Sequence, residues 1–413
     1  RLAKANQAAA KRRVPTFSAS AAVHCDRAVV KDAGARAPGF SVVGQVLTVV
    51  GQLRDAAPPG TVVVSDDVRR VVARRFEWSP LGPQQLRGVG RKELYAACAE
   101  RAVDNSNDDA FASLTPLVGR DLEVGLLQER WEQAQENMGQ VVLLIGDAGL
   151  GKSRLVQTLK QHVRQAESSG GSLDSSRYGV KSGATVVEWF ASPQYQSSCL
   201  HPVIDYFERL CGFERDDSDA VKLDKLLEQL TPLQFDGDEP VAIFAGLLSI
   251  PLGERFPAPR LDPQRRKERT FELIVEWLRE LSVRRPVLFV IEDLHWVDPT
   301  TLEFLEGFVP RGLNDSILTV LTFRPEFVTP WQSMAHQTQI ALNRLTKRQI
   351  GEMVIARAGT ESIPQATIDQ IIERTDGVPL FVEEFTRMVL EASASSLAEG
   401  GADSVSSSGV SSG

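Results

Sequence analysis

The sequence predicts an α/β fold: a doubly wound parallel sheet with a C-terminal helical unit behind it and a separate unit over residues 1–100 ahead of it. Three observations carry this expectation. Apolar runs bounded by turn signals occur at 141–145, 185–190, 287–291 and 317–323, with helical patterns between them. A glycine-rich loop, GDAGLGKS at 146–153, follows the first run directly. Beyond residue 345, helix-start signals replace strand-like runs.

Taken in order, the first 100 residues hold a strand-like run at 61–64, a helix-like stretch at 66–75 and LRGVGRKELYAA near the end. Residues 101–115, with DNSNDD at 104–109, read as a linker. A helix is expected from Asp121, pairing Leu122 with Leu126 and Leu127 with Trp131 at four-residue spacing. The α/β core is placed at 116–340, with a Ser/Gly-rich loop at 168–176. A helical unit follows over 341–392, opened by a Thr346/Gln349 capping box with Leu345 and Ile350 as a hydrophobic staple. The Ser/Gly/Ala stretch 393–413 is expected to be disordered, having little to bury.

Composition narrows the classes. The 413 residues are 42% hydrophobic, and their longest apolar runs are far shorter than the ~20 residues a membrane span needs. The formal net charge of −8 argues against non-specific nucleic-acid binding, which requires a basic face. The runs at 11–13 (KRR) and 265–267 (RRK) read as solvated segments. Cys25, Cys98, Cys199 and Cys211 form no CxxC pair, so neither a disulfide framework nor a zinc site is expected. A reducing, cytoplasmic setting fits this usage.

The loop at 146–153 fits G-x-x-x-x-G-K-[ST], a pattern with a mechanism behind it. Gly146, Gly149 and Gly151 let the backbone curl so that several N–H groups face one anion. Lys152 adds a point charge and Ser153 a hydroxyl for magnesium, while the following helix adds the positive end of its dipole. The candidate nucleotide-binding set is Gly146, Ala148, Gly149, Leu150, Gly151, Lys152, Ser153 and Arg154.

Ligands of open parallel sheets lie beyond the carboxyl ends of the strands. Glu292 and Asp293 follow the third apolar run, and Arg324 follows the fourth, where Pro325 removes a donor. If those strands are neighbours, a phosphate cradle, two acids and a guanidinium converge. A nucleoside triphosphate with Mg²⁺ uses all of them: one carboxylate for the metal, one to orient a water, and Arg324 for phosphate charge. Packing is the expected role of His295 and Trp296. The base, adenine or guanine, is open on these residues alone.

The motifs LVGR, GDAGLGKS, VIEDLHWVDP, TFRPEF and DGVPLFVEE occur in that order over residues 116 to about 390. The set resembles the AAA-type ATPase module of the signal-transduction (STAND) class, a P-loop NTPase. The resemblance implies ATP as ligand, Ser153 and Glu292 in the magnesium shell, Asp293 in hydrolysis and Arg324 as a sensor. It also implies that Val118, Gly119 and Arg120 border the adenine and ribose, and that Gly377 and Pro379 close over the base from a helical lid. The simpler reading of the last two is a helix cap and a first-turn proline. Protein partners or self-association would come through helical repeats that the family carries further downstream.

APPGTVVVSDDVRRVVARRFEWSPLGPQQLRGVGRKELYAA resembles the closing segment of a class III adenylate/guanylate cyclase domain, a small ferredoxin-like α+β unit, over about residues 20–98. The family's metal-binding aspartates are not recognisable here. Its Asn-x-x-x-Arg falls at Thr48 and Gln52, which supply neither the amide nor the cation. Without those electrostatic terms, cyclic-nucleotide synthesis is not expected, and the unit reads as truncated and degenerate. The leading expectation is a slowly hydrolysing ATP-dependent switch, with a cyclase-related enzyme or an ATP-bound scaffold as alternatives. Glu292 precedes Asp293, whereas many ATPases of this group show Asp then Glu, and the shorter arm at the water suits slow turnover.

Overall fold

A computed structural model of the chain describes residues 19–25, 29–32, 40–43, 45–72, 76–87, 89–100, 116–169, 183–214, 216–253, 255–257, 259–311, 315–359 and 363–400. The chain divides into two compact units, Arg1–Ser113 and Leu114–Gly413. The expected linker 101–115 and the final 401–413 lie outside the described residues.

The first unit contains β1 (Ala21–Val23), β2 (Val29–Asp32), β3 (Phe40–Val43), α1 (Gln45–Ala56), β4 (Val62–Ser65), α2 (Asp66–Val72), β5 (Phe76–Leu86) and β6 (Gly90–Glu100). Four strands form one sheet in the order β1-β4-β6-β5, and β2 pairs with β3. β1 runs parallel to β4, whereas β6 pairs antiparallel with both of its neighbours. Pairing of β5 shifts register between Pro80 and Gly82, where proline has no N–H to donate. Val49 and Leu53 of α1 pack with Val63, Leu86 and Leu94 of the sheet. Gln52, which stands where the cyclase pattern places its arginine, is committed to structure. Its Nε2 donates to the Arg87 carbonyl at 3.1 Å, and its Oε1 accepts from the Arg87 N–H at 2.6 Å.

The second unit opens with α3 (Asp121–Gln135), β7 (Gln140–Ile145), α4 (Lys152–Ser169) and β8 (Thr185–Phe190). There follow α5 (His201–Leu210), α6 (Asp219–Leu230), α7 (Asp238–Leu247) and α8 (Pro263–Arg284). Then come β9 (Val287–Glu292), α9 (Pro299–Phe308), β10 (Ile317–Phe323) and β11 (Gln337–Ala341). The lid helices are α10 (Lys347–Ala358), α11 (Gln365–Thr375) and α12 (Pro379–Gly400). All four apolar runs are strands. β11 was not expected: QTQIA is polar, and only Ile340 is buried, because it lies on the sheet edge.

The five strands run parallel in the order β11-β7-β10-β9-β8. β10 is buried along its whole length. Alternate residues feed two cores, as a pleated strand covered on both faces requires. Val187, Trp189, Phe289, Ile291 and Leu321 join Phe207, Phe244, Trp277 and Phe304 on one face. Val142, Leu144, Leu288, Val290 and Val320 meet α3 and α4 on the other, through Leu127, Trp131, Leu155, Leu159 and Val163. Of the two pairs at four-residue spacing in α3, Leu127 and Trp131 are buried, whereas Leu122 and Leu126 are 84% and 37% exposed. Four-residue spacing alone does not say which of two such pairs meets the core.

The lid has its own core of Leu345, Ile350, Met353, Val354, Ile368, Ile371 and Val382. The Thr346/Gln349 capping box is formed, and the staple residues Leu345 and Ile350 are both in that core. The segment expected to be disordered from residue 393 is helical as far as Gly400. Its Ala, Leu and Glu content favours continuing the helix. Likewise α4 continues to Ser169, and the rest of the expected loop at 168–176 lies outside the described residues. Among the described residues, no helix is long and apolar enough to cross a membrane.

Candidate active site

The glycine-rich loop turns from β7 into α4. Gly149 (φ 80°) and Gly151 (φ 98°) hold left-handed backbone, as the curl requires. Gly146 differs: a Cβ there would lie 3.1 Å from the Leu342 side chain, close enough that Leu342 would have to shift by a few tenths of an ångström to admit it. Its N–H donates to the Phe323 carbonyl at 3.2 Å, tying the loop to β10. Lys152 begins α4 with only 8% of its surface exposed. Its Nζ donates to the carbonyls of Gly146 at 2.7 Å and Asp147 at 3.1 Å. Burial lowers its proton affinity, Asp293 opposes that shift, Arg324 adds to it, and Asp147 and Glu292 oppose it. The predicted charges therefore surround one ammonium.

The condition for convergence is met: β7, β10 and β9 are contiguous in the sheet, with β10 between the other two and paired with both. Arg324 thus leaves the central strand, flanked by the loop after β7 and the acids after β9. Ser153 closes the arrangement, its Oγ donating to Glu292 Oε2 at 2.5 Å. Burial pushes the Glu292 carboxyl up. The Ser153 hydrogen bond opposes this, Glu188 and Asp293 add to it, and Lys160 opposes it. Asp293 adopts left-handed backbone (φ 57°), and its N–H donates to Thr322 Oγ1 at 3.0 Å. Thr322, Lys160 and Glu188 were missed in the sequence. Glu188 had left a signal, as the one charged residue in an apolar strand.

Trp296 is half-buried. Its ring meets that of His295 at 4.9 Å between centroids, with the Arg324 guanidinium 5.8 Å from its own centroid. His295 lies among the same charges. Burial lowers its proton affinity, Asp293 and Glu326 oppose this, and Arg324 and Lys152 add to it. Asp298, the third acid of VIEDLHWVDP, is structural. Buried to 2% exposure, it accepts from the N–H groups of Leu200, Thr300 and Thr301 and from the Thr301 hydroxyl. Asp298→Ala should cost about 2–4 kcal/mol, as an N-cap and buried hydrogen bonds are lost together. Urea denaturation checks this; an unchanged midpoint would contradict it.

Val118, Gly119 and Arg120 lie between the lid and the loop. Val118 packs on the lid core, and Gly119 (φ 67°) has the Gln349 side chain against it. Arg120 is buried and committed to Glu123 Oε1 at 3.0 Å and to the carbonyls of Leu150 and Asn343 at 3.4 and 2.5 Å. Gly377 (φ 74°) follows the left-handed Asp376 after α11, and Pro379 is the first residue of α12, as the cap reading expects. The same turn also reaches the loop. Leu380 N–H donates to the Gly149 carbonyl at 3.3 Å, and Val378 Cγ1 would lie 3.0 Å from a Cβ at Gly149. Arg154 of α4 interacts electrostatically with Glu383 of α12, which opposes the lowering that burial imposes on the guanidinium.

A Cβ at Gly377 would lie 2.6 Å from the Leu345 carbonyl oxygen. Gly377→Ala should therefore destabilise the lid by about 1–3 kcal/mol, through strain and the clash. A thermal melt reports this, and an unshifted midpoint would refute it. Arg265 and Lys267 engage Glu268, Glu272 and Glu303, which is the solvated helix face expected of the RRK run.

Among the described residues, no group of three or more His, Cys, Asp or Glu is placed to hold a metal alone. Ser153 and Glu292 present hard oxygen donors side by side. This fits magnesium, which takes few protein ligands and fills its shell with phosphate and water.

The chain is similar to several known proteins. Residues 116–320 match the family model for the AAA ATPase domain. An uncharacterized protein of Rhizobium meliloti is 25% identical over 354 residues, covering 84% of this chain. The chain spans 32% of that relative's length. Among solved structures, the Aeropyrum pernix ORC1 protein in complex with DNA is similar at 12% identity over 66% of this chain and 59% of that one (TM-score 0.39). A Pyrococcus horikoshii STAND protein with a tetratricopeptide repeat sensor matches at 14% identity over 65% and 30% (TM-score 0.33). The guanylate cyclase domain of RhGC from Catenaria anguillulae matches at 19% identity over 18% and 41% (TM-score 0.17). With its all-parallel five-stranded sheet and its match to the AAA ATPase domain model over residues 116–320, the second unit has the P-loop NTPase fold.

Proposed function

We propose that the chain binds ATP with Mg²⁺ and hydrolyses it slowly, acting as a nucleotide-dependent regulatory switch. The Ser153–Glu292 hydrogen bond carries this reading, because it joins the start of the phosphate-loop helix to the acid at the end of β9. Gly146, Ala148, Gly149, Leu150, Gly151 and Arg154 cradle the phosphates, and Lys152 neutralises the terminal ones. Ser153 and Glu292 hold the metal, which when bound supplies positive charge against the phosphates. Asp293 orients a water and takes its proton as the water oxygen attacks the γ-phosphorus and the bond to ADP breaks. Arg324 faces the charge that develops. Val118, Gly119, Arg120, Gly377 and Pro379 border the base.

The lid provides the switch. Its first turn rests on the phosphate loop through Leu380 and Gly149, so a change in the loop between ATP and ADP biases α12. Titration calorimetry with ATP, with and without Mg²⁺, tests binding, and phosphate release tests turnover. Binding without turnover above background favours an ATP-bound scaffold, and absence of binding overturns the reading. Cyclic-nucleotide synthesis is not part of this function, because Thr48 carries no amide and Gln52 is hydrogen-bonded to the Arg87 backbone.

A further inference from the structure

Two carboxylates and one buried ammonium share the sheet face beneath α4. In the parallel pairing of β8 and β9, Glu188 aligns with Val290 and Phe190 with Glu292. Alternation therefore places Glu188 and Glu292 on the same face, roughly 8 Å apart at their α-carbons. On α4, Ser153 and Lys160 are seven residues apart, two turns along one face. Ser153 meets Glu292, and Lys160 Nζ meets Glu188 Oε1 at 2.8 Å. The Lys160 and Glu188 side chains are only 4% and 15% exposed. A buried ammonium needs a carboxylate partner. Glu292 is also within its electrostatic reach.

We infer that Glu188 is a positioning residue: by holding Lys160 it keeps the buried ammonium off Glu292, leaving that carboxylate for Ser153 and the metal. The inference rests on the ATP·Mg²⁺ reading above. Without the Glu188 charge, Lys160 turns to Glu292 and competes with the metal for it. Without Lys160 as well, that competitor is gone. The backbone of β8 is held independently, because Arg209 donates to the Glu188 carbonyl at 3.1 Å.

The experiment measures ATP binding to the full chain in EDTA and across a Mg²⁺ titration. Glu188→Gln is expected to weaken the apparent Mg²⁺ affinity of the ATP complex on the order of tenfold, as loss of outer-shell support does. Binding in EDTA should be unchanged. Lys160→Met combined with Glu188→Gln should restore the wild-type Mg²⁺ response, a rescue that a merely structural role would not produce. If Glu188→Gln fails to fold, Glu188→Asp should show a smaller loss of the same kind, again rescued by Lys160→Met. An unchanged Mg²⁺ response in the single variant, or no recovery in the double, overturns the inference while leaving the ATP reading intact. If wild type binds no ATP in either condition, the ATP reading fails and the inference fails with it.

Discussion

Lys152→Ala is expected to lower affinity for ATP·Mg²⁺ by at least roughly a hundredfold. Hydrogen bonds from a charged donor contribute about 1.5–3 kcal/mol each, and about 1.4 kcal/mol is a factor of ten. The ammonium is already in place: it is 8% exposed and hydrogen-bonded to the Gly146 and Asp147 carbonyls at 2.7 and 3.1 Å. On the proposed reading, phosphate oxygens replace those carbonyls when ATP binds, with Asp293, Arg324, Asp147 and Glu292 already around the same group. Alanine removes the cation and leaves the two carbonyls without their donor. Calorimetry reads the affinity, and a thermal melt of the free variant separates lost binding from lost folding. A folded variant with unchanged affinity would sink the nucleotide reading.

Asp293→Asn is expected to leave ATP affinity within about a factor of two while cutting phosphate release by about 10²- to 10⁴-fold, the usual contribution of a positioned general base. The substitution is well suited to the site. Asp293 sits at φ 57°, a conformation asparagine tolerates, and its N–H stays on Thr322 Oγ1. The variant therefore changes the base without moving the backbone. Equal turnover in the variant would remove Asp293 from the chemistry. Asp293→Glu tests the order of the two acids: faster release would support the short arm as the cause of slow turnover, and an unchanged rate would count against it.

The elements around this site were legible because their signals are short-range. Apolar runs bounded by turns marked β7, β8, β9 and β10, and the buried pattern of β10 is what such a run implies. The capping box at Thr346 and Gln349 lies within four residues of sequence, and it formed as expected. β11 gave no such signal, since an edge strand buries one face and QTQIA has one isoleucine to bury. The spacing in α3 did not say whether Leu122/Leu126 or Leu127/Trp131 meets the core, because a helix with two possible stripes reveals its inner face only once something packs on it.

Within the site, the sequence by itself determined which groups stand at strand ends: the glycine loop with Lys152 and Ser153, the acids Glu292 and Asp293, and Arg324. Chemistry demands those residue types at those spacings, so local pattern was enough. Only the tertiary structure decided who meets whom. It placed β10 between β7 and β9, paired Ser153 with Glu292 across 139 residues and Lys160 with Glu188 across 28. It also committed Arg120 to the Asn343 carbonyl across 223 residues. Strand order and buried ion pairing depend on how whole faces fit together, and neither is written in any window a few residues long.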